Sequence, residues 1–374
     1  MPLSNRPTLT QYLIEQRRRF PQASGTMNAL ILDVSIAAKA IARAVACGEL
    51  GDPAARELVA AAQSHAPIEA PGEAARPLDL VSNEIFLRTA EWSGHLAGMA
   101  SEEMAQPYRI PARYARGKYL LAFDPLDGSG NLDVNVSVGS IFSVLRAPDE
   151  AAAGGREVRD ADFLQPGTAQ VAAGYAIYGP MTMLVLTVGN GVAGFTLDHD
   201  LGEFKLTHPD IRVPDDAQEF AIDTSNARFW EPPVKRYVDE CLAGRSGLRA
   251  KDFNMRWIAS LVAEAHRILM RGGVFLYPKD TRSPGRPGRL RLLYEANPIG
   301  FILEQAGGRV STGRESVLGV QPAGLHQRIG LVFGSKHEVE RIERYHAEYD
   351  AGTDRPYVSP LFSERSLFRP EALI

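Results

Sequence analysis

Two carboxylates follow directly on an apolar stretch in the segment YLLAFDPLDGSG, residues 119–130. The run LLAF predicts the end of a buried strand, and Asp124 and Asp127 come immediately after it. An Asp-Pro or Asp-Gly pair is by itself an ordinary turn signal. Two unpaired carboxylates beside an apolar core are costly, however, unless a cation balances them. The spacing therefore indicates either a turn or a divalent-cation site, and we favour the cation site.

A glycine-rich stretch follows the second carboxylate. Gly128, Ser129 and Gly130 allow the backbone to approach a ligand closely and to point successive N–H groups at an anion. Oxygen ligands for a hard cation beside such a loop suit a phosphate group held by Mg²⁺. The sequence contains no Walker-type loop with its lysine, so a metal ion would dominate phosphate binding.

Further acidic residues stand at the ends of apolar runs. Glu102 and Glu103 follow HLAGMA, and because neighbouring strand residues point to opposite sides, one could serve a metal and the other a water molecule. Two adjacent glutamates are more often a solvated turn. Glu295 ends the run RLRLLYE, where a lone glutamate more often faces the N-terminus of a following helix. These residues predict metal-dependent phosphoryl or phosphate-ester chemistry and no particular substrate.

The composition is that of an ordinary globular protein. The 374 residues are 45% hydrophobic and 23% charged, with a net charge of −4, and are enough for two domains. Without a long basic block or a run of eighteen apolar residues, neither a nucleic-acid partner nor a membrane span is expected. Cys47 and Cys241 lie far apart, outside any metal-binding spacing, and predict free thiols. The N-terminus has no apolar signal segment, so we expect a cytoplasmic protein.

The elements that must hold the acids in the first half can be predicted from hydrophobic periodicity. An amphipathic helix is expected over 28–47, and a second helix from Asp79 or Ser82, with Ser82 as its N-cap. Strands are expected from about 95 onward, and Asn190-Gly191 predicts a two-residue hairpin turn between two of them. Residues 48–76 predict a long connection with a short helix inside it.

The second half mixes helices and strands after a proline- and acid-rich stretch, 207–218, where we expect a domain boundary. WIASLVAEAHRILMR predicts a helix that stops at Gly272, RLRLLYE predicts a strand, and NPIGFILEQ predicts a helix with Asn297 as its N-cap. The fold class is therefore α+β, with sheets and helices in layers. We expect domains at 1–212 and 213–345, followed by a tail at 346–374.

The sequence resembles the class I fructose-1,6-bisphosphatases, within the wider group of Mg²⁺-dependent, lithium-sensitive phosphatases. Three blocks carry the resemblance: SEE at 101–103, KYLLAFDPLDGS at 118–129 and GRLRLLYEANP at 288–298. The resemblance implies a five-layered α-β-α-β-α fold with two mixed or antiparallel sheets between helices. It also implies a homotetramer, and a catalysed hydrolysis of D-fructose 1,6-bisphosphate to fructose 6-phosphate, in gluconeogenesis or the Calvin cycle.

The resemblance implies roles for individual residues as well. The metal ligands, for two or more Mg²⁺ ions or Mn²⁺ in their place, would be Glu102, Asp124, Asp127, Glu295, the Leu126 carbonyl and Glu73. Glu103, working with Asp79, would hold and deprotonate the attacking water. The sugar bisphosphate would be bound by Asp127, Gly128, Ser129, Gly130, Asp223, Asn226, Arg256, Trp257, Tyr277, Lys279 and Arg289. Arg256 would reach into a neighbouring subunit.

Departures from the family pattern leave other substrates open. Gly130 stands where the family more often has Ser, Asp223 where Asn is expected near the 6-phosphate, and Arg289 where Lys is more usual. The alternatives are a phosphatase for sedoheptulose 1,7-bisphosphate, an inositol phosphate or a nucleotide, and a catalytically silent metabolite-binding protein on the same fold. A silent protein should have lost carboxylates, and the set is complete. Control by AMP is left open.

Overall fold

The chain adopts a layered α+β fold in a computed structural model that describes residues 6–19, 25–48, 76–282 and 285–355. The longer helices are α1 (Leu9–Arg19), α2 (Gly25–Cys47), α3 (Pro77–Ala90), α4 (Pro232–Ala243), α5 (Leu261–Arg271), α6 (Asn297–Gln305) and α7 (Lys336–Asp350). Single helical turns at Asp149–Ala152 and Asp160–Phe163 lie between strands. The sheets are built from fifteen strands in the described residues.

The first sheet has eight strands in the spatial order β2-β1-β3-β4-β5-β6-β7-β8. Their bounds are β1 (Leu96–Ser101), β2 (Tyr108–Arg109), β3 (Tyr119–Asp127), β4 (Val138–Arg146), β5 (Ala172–Tyr178), β6 (Thr182–Thr187), β7 (Ala193–Asp198) and β8 (Glu203–His208). β1 and β3 run parallel, whereas the other neighbouring pairs are antiparallel. The parallel pair brings the ends of β1 and β3 to the same edge of the sheet.

The second sheet has five strands in the order β10-β9-β11-β15-β13, and it is mixed. The remaining strands are β9 (Glu219–Ile222), β10 (Asn254–Met255), β11 (Val274–Tyr277), β12 (Leu290–Arg291), β13 (Arg309–Ser311), β14 (Arg328–Ile329) and β15 (Leu331–Gly334). β12 and β14 pair with each other and form a separate two-stranded ladder. The predicted pair of mixed or antiparallel sheets is confirmed.

Three of the four apolar cores in the described residues lie between the layers. Helices α1, α2 and α3 pack on one face of the first sheet, α5 and α6 lie between the two sheets, and α4 and α7 cover the far face of the second sheet. Phe86 of α3 stacks on Phe123 of β3 with ring centroids 4.5 Å apart, which fixes this helix over the strand that carries Asp124. The expected α-β-α-β-α order is therefore confirmed.

Two details predicted for the first half are wrong. Helix α3 begins at Pro77, so Ser82 lies inside it and not at its N-cap. Proline suits the first helical position, and the Asp79 carboxylate accepts a hydrogen bond from Arg76 N at 2.8 Å there. The hairpin between β6 and β7 is present, but its turn spans 188–192 rather than two residues. The longer turn lets Gly191 N donate to Gln305 Oε1 of α6 at 3.1 Å.

Three details predicted for the second half are also wrong. Strand β12 covers only Leu290–Arg291, because Leu292–Ala296 form a π-helical turn that leads straight into α6. Asn297 is therefore the first residue of α6 and not its N-cap, and its N–H donates to Leu292 O. Helix α5 begins at Leu261, since Ala259 has a φ of 62° that interrupts the helical pattern predicted from residue 257. Gly272, with a φ of 79°, ends α5 as predicted.

A buried ion pair ties α7 to the segment that follows α4. The Arg249 guanidinium donates to both carboxylate oxygens of Glu338, at 2.6 and 2.7 Å, and their side chains are only 4% and 2% exposed. Tyr237 OH donates to Glu338 at 2.8 Å, and Lys251 Nζ lies 3.5 Å away. Because the pair is shielded from water, removing either partner would leave the other as an uncompensated buried charge.

We expect Glu338→Ala to lower the free energy of unfolding by about 3–5 kcal/mol, because it leaves a buried guanidinium without its partner. Urea denaturation followed by circular dichroism measures this loss. Glu340→Ala on the same helix is the control: Glu340 is 42% exposed and pairs with Lys336 at 3.9 Å, so the change should stay within about 0.5 kcal/mol. Equal effects of the two substitutions would contradict the role of the buried pair.

Candidate metal centre

A bulge in β3 places Asp124 and Asp127 on the same face of the first sheet. Asp124 pairs with Ile141 of β4 and Asp127 pairs with Gly139, so two residues of β3 oppose the single residue Ser140. In a regular strand, residues three positions apart point to opposite faces. The extra residue removes this difference. Both carboxylates therefore point to the side on which α5 and α6 lie.

Three carboxylates from distant parts of the chain meet at this edge. Glu102, Asp124 and Glu295 each offer an oxygen within 4.8 Å of the other two, an arrangement that could hold a metal ion. Glu102 comes next to Asp124 because β1 and β3 are parallel neighbours, and Glu102 N donates to Phe123 O at 3.1 Å. Sequence analysis predicted all three residues, although it placed Glu295 at the end of a strand.

The π-helical turn and Arg291 orient Glu295 and Glu102. Arg291 N donates to Glu295 Oε2 at 2.5 Å, and Arg291 Nε donates to Glu102 Oε1 at 2.7 Å. Arg291 is 6% exposed. Sequence analysis missed this residue, since it assigned a role to only one of the two arginines in RLRL, Arg289. The available signal was the alternation in RLRL, which turns Arg289 and Arg291 to one side of a strand.

The charges of the cluster fit a divalent cation. Glu102 Oε2 is buried and has no hydrogen-bond partner among the described residues. Burial, and next the Glu102 carboxylate, raise the pKa of Asp124 and of Glu295 well above their ordinary values. Arg291 supplies one positive charge to this group of acids. A divalent ion would supply the missing charge and take up the oxygen that lacks a partner.

Asp127 lies outside the group of three carboxylates in the structure. Its Oδ2 accepts a hydrogen bond from Val262 N at 2.7 Å at the start of α5, and Ser260 Oγ lies 3.5 Å away. Burial nevertheless raises its pKa to about 7. A carboxylate at a helix N-terminus is favoured by the helix dipole, so Asp127 joins the acidic site to α5. Its role as a metal ligand stays a prediction.

The glycine-rich loop turns sharply after Asp127. Gly128 has a φ of 76°, and a Cβ at this position would lie 2.7 Å from Ser260 Oγ, so only glycine fits. Ser129–Val134 form a 3₁₀ turn whose first backbone hydrogen bond runs from Asn131 N to Gly128 O at 2.9 Å. The amides of Ser129 and Gly130 precede this bond and stand at the N-terminal end of the turn, where an anion is favoured.

The predicted water-activating pair flanks the acidic cluster and this loop. Glu103 follows Glu102 in the turn after β1, and its N–H donates to Ser101 Oγ at 3.2 Å. Asp79 is 5% exposed in the first turn of α3. Burial raises its pKa, while hydrogen bonds from Arg76 N and from the Ser129 side chain lower it. Arg76, a residue that sequence analysis missed, also donates to Ser129 O at 2.5 Å.

Several residues predicted to bind the sugar bisphosphate lie together, away from the glycine-rich loop in the sequence. Trp257 stacks on Phe275 at 5.7 Å and meets Tyr277 edge-on at 5.9 Å. Arg289 Nη1 donates to Tyr277 OH at 3.3 Å, and both Arg289 and Lys279 are exposed. An aromatic wall with accessible cations is suited to a sugar phosphate.

Asp223 has a structural use that sequence analysis did not foresee. It caps the 3₁₀ turn Thr224–Phe229 by accepting from Ser225 N at 3.0 Å, Ser225 Oγ at 2.6 Å and Asn226 Nδ2 at 2.5 Å. Its negative charge is thereby compensated by donors within its own loop.

The Arg256 side chain pairs with an acid that is not part of the aromatic wall. Its guanidinium is 54% exposed, and its Nε lies 3.5 Å from Glu219 Oε1. Exposed pairs of this kind contribute little to stability, so Arg256 remains accessible to another molecule. Glu73, the sixth predicted metal ligand, lies outside the described residues.

Comparison with known proteins gives consistent matches over the whole chain. The family profile "Fructose-1-6-bisphosphatase, N-terminal domain" matches residues 7–209, and the corresponding C-terminal domain profile matches residues 213–347. A class 1 fructose-1,6-bisphosphatase of Hydrogenophilus thermoluteolus is 67% identical over 376 residues, with 100% of both chains covered. A second, from Methylibium petroleiphilum, is 60% identical and covers 98% of this chain and 99% of its own.

A solved structure is similar as well. The fructose-1,6-bisphosphatase of Leishmania major in its holo form superposes with a TM-score of 0.80 at 36% sequence identity. The match covers 91% of this chain and 100% of that one.

We expect the metal-free protein to lose stability as the pH rises from about 4 to about 7. Burial raises the pKa of Asp127 from 3.8 to about 7, so in this window the unfolded chain has released a proton that the folded state retains. Asp127→Asn, which cannot ionise, should therefore become more stable relative to the unsubstituted protein as the pH rises.

Thermal melts in the presence of a chelator, from pH 4 to pH 8, measure this difference. The control is Asp133→Asn, because Asp133 is an exposed carboxylate in the 3₁₀ turn that follows Gly128. This substitution should leave the dependence of stability on pH unchanged. Parallel profiles for the unsubstituted protein and Asp127→Asn would contradict the prediction.

Proposed function

This chain belongs to the fructose-1,6-bisphosphatase family, and on that premise we propose that its acidic cluster removes the 1-phosphate of fructose 1,6-bisphosphate with the help of Mg²⁺. The observation that carries the proposal is the convergence of Glu102, Asp124 and Glu295 beside a loop that presents backbone amides. A cluster of carboxylates next to an anion-binding loop suits phosphate hydrolysis better than metabolite binding alone.

We propose two or more Mg²⁺ ions, with Mn²⁺ as an alternative, held by these three carboxylates together with Asp127, the Leu126 carbonyl and Glu73. Such ions, when bound, stabilise negative charge on the attacking and leaving oxygens and make a water molecule easier to deprotonate. Leu126 is buried in the bulge of β3, with its N–H donating to Asp124 Oδ1 at 3.0 Å. That hydrogen bond favours one orientation of the Asp124 carboxylate.

The remaining steps fall to side chains and amides of the chain. Glu103, with Asp79, is assigned to hold the attacking water and accept its proton; a carboxylate with a raised pKa, such as Asp79, can share that proton. The amides of Gly128, Ser129 and Gly130 are assigned to the 1-phosphate. Preorganised donors stabilise charge that develops on the phosphate in the transition state without having to reorient.

Membership of the family and the aromatic wall with its accessible cations both favour fructose 1,6-bisphosphate as the substrate. Tyr277, Lys279 and Arg289 would hold the 6-phosphate, with Trp257 beside them. The Asp223 carboxylate is occupied by Ser225 and Asn226, and this supports the view that it does not oppose a phosphate. Sedoheptulose 1,7-bisphosphate remains the second candidate, because Gly130 and Asp223 stand where the family more often has other residues.

The assembly and the location are proposals of the same kind. We propose a homotetramer in which the exposed Arg256 binds the 6-phosphate in a neighbouring subunit, and sedimentation of the purified protein measures the assembly. We also propose a cytoplasmic location and a division into domains at 1–212 and 213–345. Among the described residues, the structure has no helix of the length and apolar character needed to span a membrane.

Two substitutions should separate proton transfer from metal binding. Glu103→Gln should lower kcat by about 10²–10⁴-fold with metal affinity retained, because it removes the acceptor of the proton. Asp124→Asn should weaken Mn²⁺ binding by at least about 10- to 100-fold. Steady-state kinetics and Mn²⁺ titration by electron paramagnetic resonance measure the two effects.

The control for both is Glu157→Gln, an acid that is 53% exposed and pairs with Arg109 at 2.9 Å; it should change neither quantity. If Glu103→Gln retained full turnover, the assignment of the proton acceptor would be wrong.

A substrate panel tests the activity itself. Phosphate release should be fastest, and dependent on Mg²⁺, with fructose 1,6-bisphosphate, and slower with sedoheptulose 1,7-bisphosphate, the two fructose monophosphates and an inositol phosphate. Equal or faster turnover of another ester would retain the metal chemistry and overturn the substrate. No release from any ester would favour the metabolite-binding alternative.

A further inference from the structure

A pair of buried hydroxyl groups lies directly behind the bulge of β3. Ser140 Oγ donates a hydrogen bond to Pro125 O at 2.7 Å, and Tyr178 OH lies 2.7 Å from Ser140 Oγ. Ser140 is 1% exposed and Tyr178 is 5% exposed. Ser140 lies on β4, which pairs with β3, and Tyr178 lies on β5, which pairs with β4 on its other side.

The direction of these hydrogen bonds follows from the chemistry of the groups. The hydroxyl hydrogen of Ser140 is used by the Pro125 carbonyl, so the phenol of Tyr178 must donate to Ser140 Oγ. Burial raises the pKa of Tyr178, so the phenol keeps its proton. A chain of hydrogen bonds therefore runs from β5 through β4 to the carbonyl between Asp124 and Leu126.

These hydrogen bonds end at the bulge that places Asp124 and Asp127 on the same face of the sheet. Pro125 and Leu126 have no paired residues in the register of β3 and β4, and Ser140 is the single residue opposite them. A buried carbonyl that no longer accepts a hydrogen bond from the neighbouring strand needs another donor. Without one, regular pairing of the two strands would have the lower free energy. Normal pairing would return Asp124 and Asp127 to opposite faces of the sheet.

We propose that Ser140 and Tyr178 are positioning residues for the metal centre: their hydrogen bonds hold the bulge that keeps Asp124 and Asp127 on one face. The inference rests on the proposed function in one respect, the use of these carboxylates for a divalent ion. Neither hydroxyl belongs to the residues assigned to metal, water or substrate. Their effect on activity is indirect, through the spacing of the two carboxylates.

The chain offers a matched control for this arrangement. The register of β7 and β8 shifts between Gly194 and Phe195, and Thr207 Oγ1 donates to Gly194 O at 3.3 Å. Thr196 Oγ1 lies 3.0 Å from Thr207 Oγ1. This second pair of hydroxyls also supports an irregular strand, at the opposite edge of the sheet from β1 and its neighbour β2. Removing a hydroxyl there measures how much stability is lost when an irregular strand far from the metal centre loses a hydrogen bond.

The test compares Ser140→Ala, Ser140→Thr, Tyr178→Phe and Thr207→Val. Mn²⁺ affinity is measured by electron paramagnetic resonance without substrate, and the melting temperature is measured with a chelator. Ser140→Ala should weaken Mn²⁺ binding about tenfold or more, as losses of outer-sphere partners do. Ser140→Thr keeps the hydroxyl and should restore most of the affinity. Tyr178→Phe should fall between them, because Ser140 still donates to Pro125.

The outcomes separate the positioning role from a merely structural one. Thr207→Val should lower the melting temperature without changing Mn²⁺ affinity. If Ser140→Ala changed Mn²⁺ affinity less than twofold, or only as much as Thr207→Val did, the positioning role alone would be overturned. If the unsubstituted protein bound no Mn²⁺, the proposed function and this inference would both fail.

Discussion

Repulsion among buried carboxylates is the constraint around which the site is built. Glu102, Asp124 and Glu295 converge within 4.8 Å, and Asp127 is buried beside them. Burial first, and the neighbouring carboxylates next, raise the pKa values of its aspartates, so without a cation the site relieves the repulsion by binding protons. Arg291 offsets part of the charge, and a divalent ion would offset more. The fold therefore creates affinity for a metal ion by holding negative charges together that repel one another when no ion is bound.

The fold can maintain this arrangement because each acid lies on an element that is stabilised by other interactions. The parallel pairing of β1 and β3 brings Glu102 beside Asp124, and the start of α5 holds Asp127 through Val262 N. Phe86 on Phe123 fixes α3, and with it Asp79, over the same strand. The apolar cores on both faces of the first sheet supply the rigidity. Burial of apolar surface thus offsets the electrostatic cost of the site.

The sequence allowed the acids, the α+β class and the layers to be predicted, because local patterns and short motifs carry them. It did not allow the turns that orient the acids to be predicted. RLRLLYE alternates like a strand, yet Leu292–Ala296 wind into a π-helical turn, and this turn places Glu295 beside Asp124 and Glu102. Arg291 and Ser140 escaped notice for a related reason: their partners lie 189 and 15 positions away in the chain. Pairing over such distances is a tertiary outcome that no local pattern encodes.

The bulge in β3 and the π-helical turn before α6 share one property: the bulge holds one residue more than a regular strand, and each hydrogen bond of a π-helical turn spans one residue more than in an α-helix. Any amino-acid replacement leaves that count intact. Losing one codon from Pro125 to Leu126, or from Leu292 to Ala296, would change it, and every side chain beyond the lesion would turn toward a different neighbour. Apart from Glu295, these two stretches should therefore tolerate amino-acid replacement far better than the loss of a residue.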